Sequence, residues 1–172
     1  GMHHLLWEIV DNSIDEIANG YGDKITITMH TDNSITVKDN GRGIPVDKHP
    51  TLKVSGVQVV FTQLHAGGKF NNSNYSYSGG LHGVGASVTN ALSEWLKVEV
   101  CNDGQKYFME FRAVKKSKDK ISGGVPVAPL QCLGPTTETG TTVTFKPDAR
   151  IFKDCLFDRE TISKRLRELA FL

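Results

Sequence analysis

Acidic side chains and one carboxamide lie together on one face of a helix near the start of the chain. At about 100° per residue, Glu8, Asp11, Asn12 and Asp15 project from one side of this helix, and Glu16 lies beside them. The helix contains no Lys or Arg to neutralise these carboxylates. A solvated acidic face is the ordinary explanation, but carboxylate and amide oxygens also suit Mg²⁺, and a carboxylate can activate water. We therefore favour a site for metal-assisted hydrolysis.

The helix that positions these groups is predicted by the pattern of residues 2–19. His4 lies one turn before Glu8, where its ring can orient that carboxylate. Gly20 and Gly22 end the helix. The side opposite the acidic residues is apolar and consists of Leu6, Ile9, Val10, Ile14 and Ile17.

A second candidate group is a carboxylate at the end of a predicted β-hairpin. Residues 24–30 and 34–39 alternate apolar and polar side chains, which predicts two antiparallel strands. Asp39 has the same parity as Ile35 and Val37, so its side chain is expected to point toward the core. Burial of an unpaired carboxylate is costly, so Asp39 needs a partner.

The turn that follows Asp39 suits the close approach of a flat ligand. Gly41 and Gly43 let the backbone bend sharply and leave room above it. Two explanations without a ligand stay open, because Asp39 could cap its own turn or pair with Arg42.

A glycine-rich run supplies a third candidate site. Residues 79–86 read GGLHGVGA and lead into a helix predicted at residues 87–92. Exposed backbone N–H groups and the helix dipole at such an N-terminus can bind phosphate, although flexible linkers have a similar composition. The run is neither a Walker A loop nor a dinucleotide fingerprint. Residues 71–78 are low in apolar side chains, which indicates a loop or lid.

The rest of the chain supplies the framework. Residues 56–64 and 158–172 are predicted helices, the second capped by Asp158. Thr141 shares parity with Val143 and Phe145, so it should point inward, toward the pocket of Asp39. Strands are predicted at residues 96–101, 106–112 and 140–146, a short edge strand within residues 123–133, and a basic, solvated loop at residues 115–124.

Composition limits the class of protein. The chain has 172 residues, enough for one domain, with 38% hydrophobic and 23% charged residues. A net charge of +1 gives no argument for a DNA-binding domain, and no apolar run is long enough to span a membrane. The three widely spaced cysteines are expected to be reduced thiols, which indicates a cytoplasmic protein.

Four motifs together are specific to one family. The chain resembles the N-terminal ATPase domain of the B-type subunits of bacterial type II DNA topoisomerases, those of DNA gyrase and topoisomerase IV, within the GHKL superfamily. The resemblance implies an α/β fold, a two-layer sandwich with a mixed, mostly antiparallel eight-stranded sheet and helices on one face. The motifs are EIVDNSIDE at residues 8–16, DNGRGIP at 39–45, LHAGGKF at 64–70 with GGLHGVG at 79–85, and TGT at 139–141.

The resemblance also implies roles for the candidate residues. Glu8 would be the general base and His4 its orienting partner, Asn12 would bind Mg²⁺, and Asp39 with Thr141 would bind the adenine amino group of ATP. Arg42 would pair with Glu16 beneath the base, while Lys69 and the glycine run would form the phosphate-binding lid. The remaining nucleotide contacts implied are Asp15, Gly43, Ile44, Pro45, Gly80, Leu81, His82, Gly83, Val84, Gly85 and Ala86.

The same resemblance sets expectations about partners. In the family, ATP binding dimerises two such domains, and an A-type subunit and DNA complete the enzyme. The family's N-terminal arm and transducer domain have no counterpart in this sequence. We therefore expect residues 1–172 to form a single domain that hydrolyses ATP slowly and stays mainly monomeric. Asn102 stands where many members have an arginine that contacts pocket-directed antibiotics. The resemblance therefore does not predict whether such antibiotics bind this chain.

Two other functions remain open. Another GHKL member, such as a heat-shock chaperone, a mismatch-repair ATPase or a sensor histidine kinase, shares the helix Asn and the Asp-Gly-x-Gly turn. Such proteins do not usually share LHAGGKF or GGLHGVG. A nucleotide-binding switch without turnover would carry the same pocket, and substitution of Glu8 would distinguish it from an ATPase.

Overall fold

The computed structural model describes residues 1–63 and 80–169, and it describes side chains for residues 1–63 and 85–169. These residues form helices and strands joined by loops. The predicted lid at residues 71–78 and Lys69 lie outside the described residues. The helices are α1 (His3–Ala18), α2 (Gly56–Thr62), α3 (Gly80–Ala91) and α4 (Arg159–Leu169). The strands are β1 (Ile25–Met29), β2 (Ile35–Asp39), β3 (Ser93–Asn102), β4 (Gln105–Ser117), β5 (Lys120–Pro126), β6 (Gln131–Pro135) and β7 (Gly140–Pro147).

The strands form one sheet in the order β1-β2-β7-β3-β4-β5, and β6 also pairs with β4. Every pairing among the described residues is antiparallel. The described part of the sheet therefore has seven strands, all of them antiparallel to their neighbours. The resemblance implied eight strands in a mixed sheet, so the described part of the structure differs in strand number and in strand direction. Short hairpins join β1 to β2 and β3 to β4, and such connections produce antiparallel pairs.

The helices cover one face of this sheet and create two layers, as expected. α1 packs against β2 and α3, and α2 packs against α3 and β5. Since successive side chains alternate between faces, the covered face is apolar, whereas Thr36, Lys97 and Thr144 lie on the other. The largest sheet contributions to the core come from Ile35, Val37, Leu96, Val98, Met109, Phe111 and Phe145.

The predicted basic loop at residues 115–124 is wrong. β4 continues to Ser117, and β5 begins at Lys120. Most side chains in this hairpin are exposed on both faces, so the apolar and polar alternation that identifies a half-buried strand is weak there. The edge strand predicted within residues 123–133 is instead the end of β5 and the start of β6.

The glycine run also differs from its prediction as a loop. α3 already begins at Gly80, so most of the run is helical. Glycine is a poor helix former, and packing of α3 on α1 and α2 overrides that preference. Farther along, Asp158 caps α4 as predicted, since its Oδ2 accepts the Thr161 N–H at 3.1 Å, and Ile162 is buried.

Candidate active site

Asp39 ends β2 and lies directly opposite Thr141 of β7, so the predicted inward parity of both residues is confirmed. The Asp39 side chain is buried. The Ser13 hydroxyl donates to its Oδ2 at 2.6 Å, while the Gly41 and Thr141 N–H groups donate to Oδ1 at 2.9 and 3.4 Å. The carboxylate thus has partners within the fold and keeps acceptor capacity on Oδ2.

Burial raises the pKa of Asp39 above its usual value. The hydrogen bonds from Ser13, Gly41 and Thr141 act in the opposite direction, and the negative charge of Glu16 adds to the rise. Since desolvation is the largest of these effects, the donors limit the shift without cancelling it. A carboxylate in this state is a strong acceptor for an N–H group that enters the pocket.

Ser13 was missed by the sequence analysis. It lies on the buried side of α1, four residues after Ile9 and four before Ile17. A small hydroxyl within an apolar stripe of a helix is a signal that could have identified it, because a buried hydroxyl needs a partner. Here that partner is Asp39.

Replacement of Ser13 by Ala should shift the pH dependence of nucleotide binding to higher pH. Loss of the donor to Oδ2 raises the pKa of Asp39 further, so protonation removes the acceptor at a higher pH than in the wild type. The other charged groups facing Asp39 are Glu16 on α1 and its partner Arg42, which the substitution leaves in place. Affinity for a non-hydrolysable ATP analogue, measured from about pH 5 to 8, tests this shift. Ser13→Thr should keep the wild-type profile, and identical profiles for Ser13→Ala and the wild type would contradict the assignment.

Arg42 and Glu16 form the ion pair that the resemblance implies. Arg42 Nη2 lies 2.7 Å from Glu16 Oε1, and the Arg42 backbone N–H donates to Glu16 Oε2 at 2.9 Å. The Tyr21 ring lies 3.7 Å from the guanidinium carbon. Gly41 is required here, since a Cβ would come within 2.7 Å of Glu16 Oε2. The pair fixes the turn that follows Asp39.

The turn closes the pocket from the side of β3. Gly43 has a φ of +89°, and a Cβ there would come within 2.7 Å of the Cys101 carbonyl oxygen. The Ile44 N–H donates to Thr141 Oγ1 at 3.1 Å, which leaves the hydroxyl proton of Thr141 available to a ligand. Asn102 donates to the Ile44 carbonyl oxygen at 3.5 Å. Pro45 is half-buried beside Ile44.

The resulting pocket is a small cleft that lies between α1 and the sheet and is partly open to solvent. Asn12 and Ser13 reach it from α1, and Asp39 and Thr141 reach it from adjacent strands. The remaining lining is mainly apolar and consists of Ile9, Glu16, Ile44, Phe61 and Val143. A small cavity with a few convergent polar groups is typical of a ligand site.

Glu8 lies one turn before Asn12 on the polar side of α1, nearer its N-terminus. His4 Nε2 is 2.8 Å from Glu8 Oε1, so the orienting contact predicted from their spacing is formed. At about 1.5 Å per residue, Glu8 precedes Ser13 by roughly 7 Å along the helix axis. Asn12 lies between them, so the helix carries a carboxylate, an amide and a hydroxyl in that order.

The carboxylate of Glu8 is held against α3 at Gly85. A Cβ on Gly85 would overlap Glu8 Oε2, and it would come within 2.9 Å of Glu8 Cβ. The close packing of Glu8 against α3 therefore requires a glycine at position 85. Its neighbour Ala86 is fully buried in the core, so its methyl group supports α3 from inside the fold.

If Glu8 is the general base that the family resemblance implies, replacement of Gly85 by Ala should lower ATP turnover by roughly 10- to 100-fold, because a small displacement of a catalytic group has effects of this size. At an uncrowded helix position the same change would stabilise the protein. Turnover and the midpoint of thermal unfolding, measured on the same sample, test the contact. A raised midpoint with wild-type turnover would mean that Glu8 is not held by α3.

The remaining predicted residues are only partly described. Asp11 and Asp15 are half-buried on α1 beside Asn12. Gly80, Leu81, His82, Gly83 and Val84 belong to the first turns of α3, and their side chains lie outside the described part, as does Lys69. Within the described ranges there is no group of three or more His, Cys, Asp or Glu side chains suited to a metal ion.

Comparison with known proteins identifies the family. The sequence model of the histidine kinase-, DNA gyrase B- and HSP90-like ATPases matches residues 1–151. The chain belongs to this family. Among curated relatives, it is 55% identical to the B-type subunit of DNA gyrase from Spiroplasma citri, 52% identical to that from Thermotoga maritima, and 53% identical to the B-type subunit of DNA topoisomerase 4 from Staphylococcus epidermidis. Each match covers 100% of the chain but only 24–26% of the relative, so the chain spans about a quarter of their length.

A solved structure supports the same placement of the chain within this ATPase family. The 43K ATPase domain of Thermus thermophilus gyrase B, in complex with an aminocoumarin, superposes with a TM-score of 0.81 at 42% identity. The match covers 99% of this chain and 40% of that one. The fold implied by the sequence motifs is thereby confirmed. In the part of the chain that the structure describes, the helices are too short or too polar to cross a membrane.

Proposed function

We propose that the chain binds ATP and hydrolyses it with Mg²⁺, as the nucleotide-binding part of the B-type subunit of a bacterial type II DNA topoisomerase. The observation that carries the proposal is the buried Asp39, whose Oδ2 faces a small pocket beside the available hydroxyl proton of Thr141. An acceptor next to a donor matches the amino group and ring nitrogen on one edge of adenine. Ile44 and Pro45 supply apolar contact for the flat base.

The proposed hydrolysis depends on Glu8. Its carboxylate accepts the proton of a water molecule that attacks the terminal phosphate of ATP, and His4 holds the carboxylate in orientation through the 2.8 Å contact. Such reactions rely on positioning and charge stabilisation more than on covalent chemistry by the protein. In the proposed mode of binding, the base of ATP lies at the Ser13 end of this stretch of α1, beside Asp39, and the terminal phosphate lies toward Glu8.

Asn12 is the proposed Mg²⁺ ligand. Its carboxamide lines the pocket between the Glu8 end and the Asp39 end of α1, and an oxygen donor there suits a hard cation. A single protein oxygen fits this ion, which is commonly held by one or two protein groups together with substrate phosphates and water. When bound, Mg²⁺ would neutralise phosphate charge. Lys69 and residues 80–85 are proposed to contact the phosphates from the lid side.

The proposal extends to the whole protein through its relatives. As part of a B-type subunit, the chain would act in the cytoplasm with an A-type subunit on DNA. It would dimerise when ATP binds to the full-length protein, whereas the isolated chain would stay mainly monomeric. The gyrase B neighbour holds an aminocoumarin, so pocket-directed inhibitors are proposed to bind here too. Asn102 at the pocket edge should alter their affinity.

The experiment that tests the proposal is a phosphate-release assay on the 172-residue chain. We expect slow release from ATP that requires Mg²⁺ and stops with EDTA. Mg²⁺-independent release would contradict the assigned role of Asn12. Binding of an ATP analogue without any release, at chain concentrations of tens of micromolar, would favour the alternative of a nucleotide-binding switch and remove Glu8 as a base in this chain.

A further inference from the structure

A basic two-stranded ribbon projects from the sheet at the turn between β4 and β5. The pairing of β3 with β4 ends at Trp95 and Arg112. Beyond that point β4 pairs only with β5, through Val114 with Ser122, Lys115 with Ile121 and Ser117 with Lys120. We call residues 113–121 the basic ribbon. Its base is anchored, because a Cβ on Gly123 would overlap the backbone of Ala91 at the end of α3.

The charge of the basic ribbon is concentrated and unneutralised. Lys115, Lys116, Lys118 and Lys120 are all exposed, and among the described residues none of them forms an ion pair. With Asp119 as its one acidic residue, the ribbon carries +3, whereas the whole chain carries +1, so all other residues together carry −2. The low net charge of the chain therefore hides a local cationic surface.

A ribbon built only for stability would favour a different pattern. Isolated two-stranded ribbons are marginally stable, and oppositely charged cross-strand pairs strengthen them. Here four like charges crowd one short turn, which opposes its folding. Such a concentration of lysines is typical of a surface that meets a polyanion.

The basic ribbon is also well separated from the nucleotide pocket. Thr141 pairs with Val100, which pairs with Tyr107 of β4. From Tyr107 to Ser117 the strand extends about 30 Å at roughly 3.3 Å per residue. The ribbon can therefore contact a partner without blocking the pocket, and its substitution should leave nucleotide binding intact.

We propose that the basic ribbon is a contact for the phosphate backbone of duplex DNA, without preference for sequence. This inference rests on the proposed function, since a topoisomerase subunit acts on DNA. Lysines are point charges that bind phosphate, and the ribbon presents no Asn, Gln or Arg that would read base edges. The favourable free energy comes from release of the counterions condensed on the DNA.

The test uses fluorescence anisotropy of a labelled duplex of mixed sequence, titrated with the 172-residue chain at low ionic strength. If all four lysines contact phosphates, a fourfold rise in KCl should lower the affinity by about 100-fold. A ribbon variant replaces all four lysines by Gln. A control variant with the same net charge carries Gln at exposed lysines elsewhere, namely Lys24, Lys48, Lys153 and Lys164.

We expect the ribbon variant to lose at least tenfold in DNA affinity and most of its salt dependence, while the control variant keeps both. Equal affinity of the two variants would overturn the inference, as would binding to anionic phosphatidylserine vesicles with no binding to duplex DNA. Thermal stabilisation by an ATP analogue is measured on both variants. If it persists while DNA binding is absent, the inference on the ribbon fails and the proposed nucleotide function stands.

Discussion

Replacement of Glu8 by Gln should lower ATP turnover by about 100-fold or more and leave affinity for an ATP analogue within a few-fold of the wild type. A general base contributes factors of this size, and the amide cannot accept a proton from water. The substitution preserves the side-chain shape packed against Gly85, and the Oε1 acceptor facing His4 at 2.8 Å can be retained. Single-turnover hydrolysis and equilibrium binding, measured separately, distinguish loss of chemistry from loss of binding.

Asp11→Asn is the matched control for this substitution. Asp11 lies on the same polar face of α1, and its change removes the same unit of charge without touching the His4–Glu8 contact. We expect near-normal turnover from Asp11→Asn and a smaller loss from His4→Ala than from Glu8→Gln, because His4 only orients the base in the proposed mechanism. Unchanged turnover in Glu8→Gln would show that another group accepts the proton.

Replacement of Asp39 by Asn should weaken binding of an ATP analogue by about 100-fold, the loss expected when a hydrogen bond to a charged group is removed and a donor faces a donor. The Asn oxygen can still accept from Gly41 and Thr141, which turns its NH₂ group toward Ser13 and the ligand. That NH₂ opposes the adenine amino group but complements the oxygen of guanine. Isothermal titration with adenine and guanine analogues measures the change, and an unchanged adenine affinity would contradict the role of Asp39.

The same variant should be more stable than the wild type near neutral pH. Burial raises the pKa of Asp39, so the folded protein binds this proton more tightly than the unfolded chain does. The associated stability is fully present below the usual carboxyl pKa and is lost as pH rises through the raised pKa. Asn carries no charge and avoids this loss. A higher unfolding midpoint at pH 7, with the difference vanishing in acid, would separate reduced binding from misfolding.

The sequence predicted the parts of the site that follow from periodicity. Parity along β2 and β7 placed Asp39 and Thr141 on one face, and helical spacing placed His4 one turn from Glu8. These relations hold because strand and helix geometry fix side-chain direction within an element. Side-chain directions within each element were therefore predicted correctly.

Contacts between elements were harder to predict from the residues alone. Ser13 meets Asp39 across 26 positions, and Gly85 meets Glu8 across a helix pair, so neither contact has a local spacing that marks it. The pair of Glu16 and Arg42 came from the family resemblance, because an acidic residue on a polar face gives no sign of burial. The basic ribbon was missed as a strand since it lacks a buried face.

The measurement that tests the central claim most directly compares thermal stabilisation of the 172-residue chain by the Mg²⁺ complexes of matched ATP and GTP analogues. A ligand that binds only the folded state raises the unfolding midpoint in proportion to its affinity. If Asp39 accepts a hydrogen bond from the adenine amino group, the ATP analogue alone should raise the midpoint. Equal shifts with both analogues would contradict that role, because phosphate contacts would then account for binding.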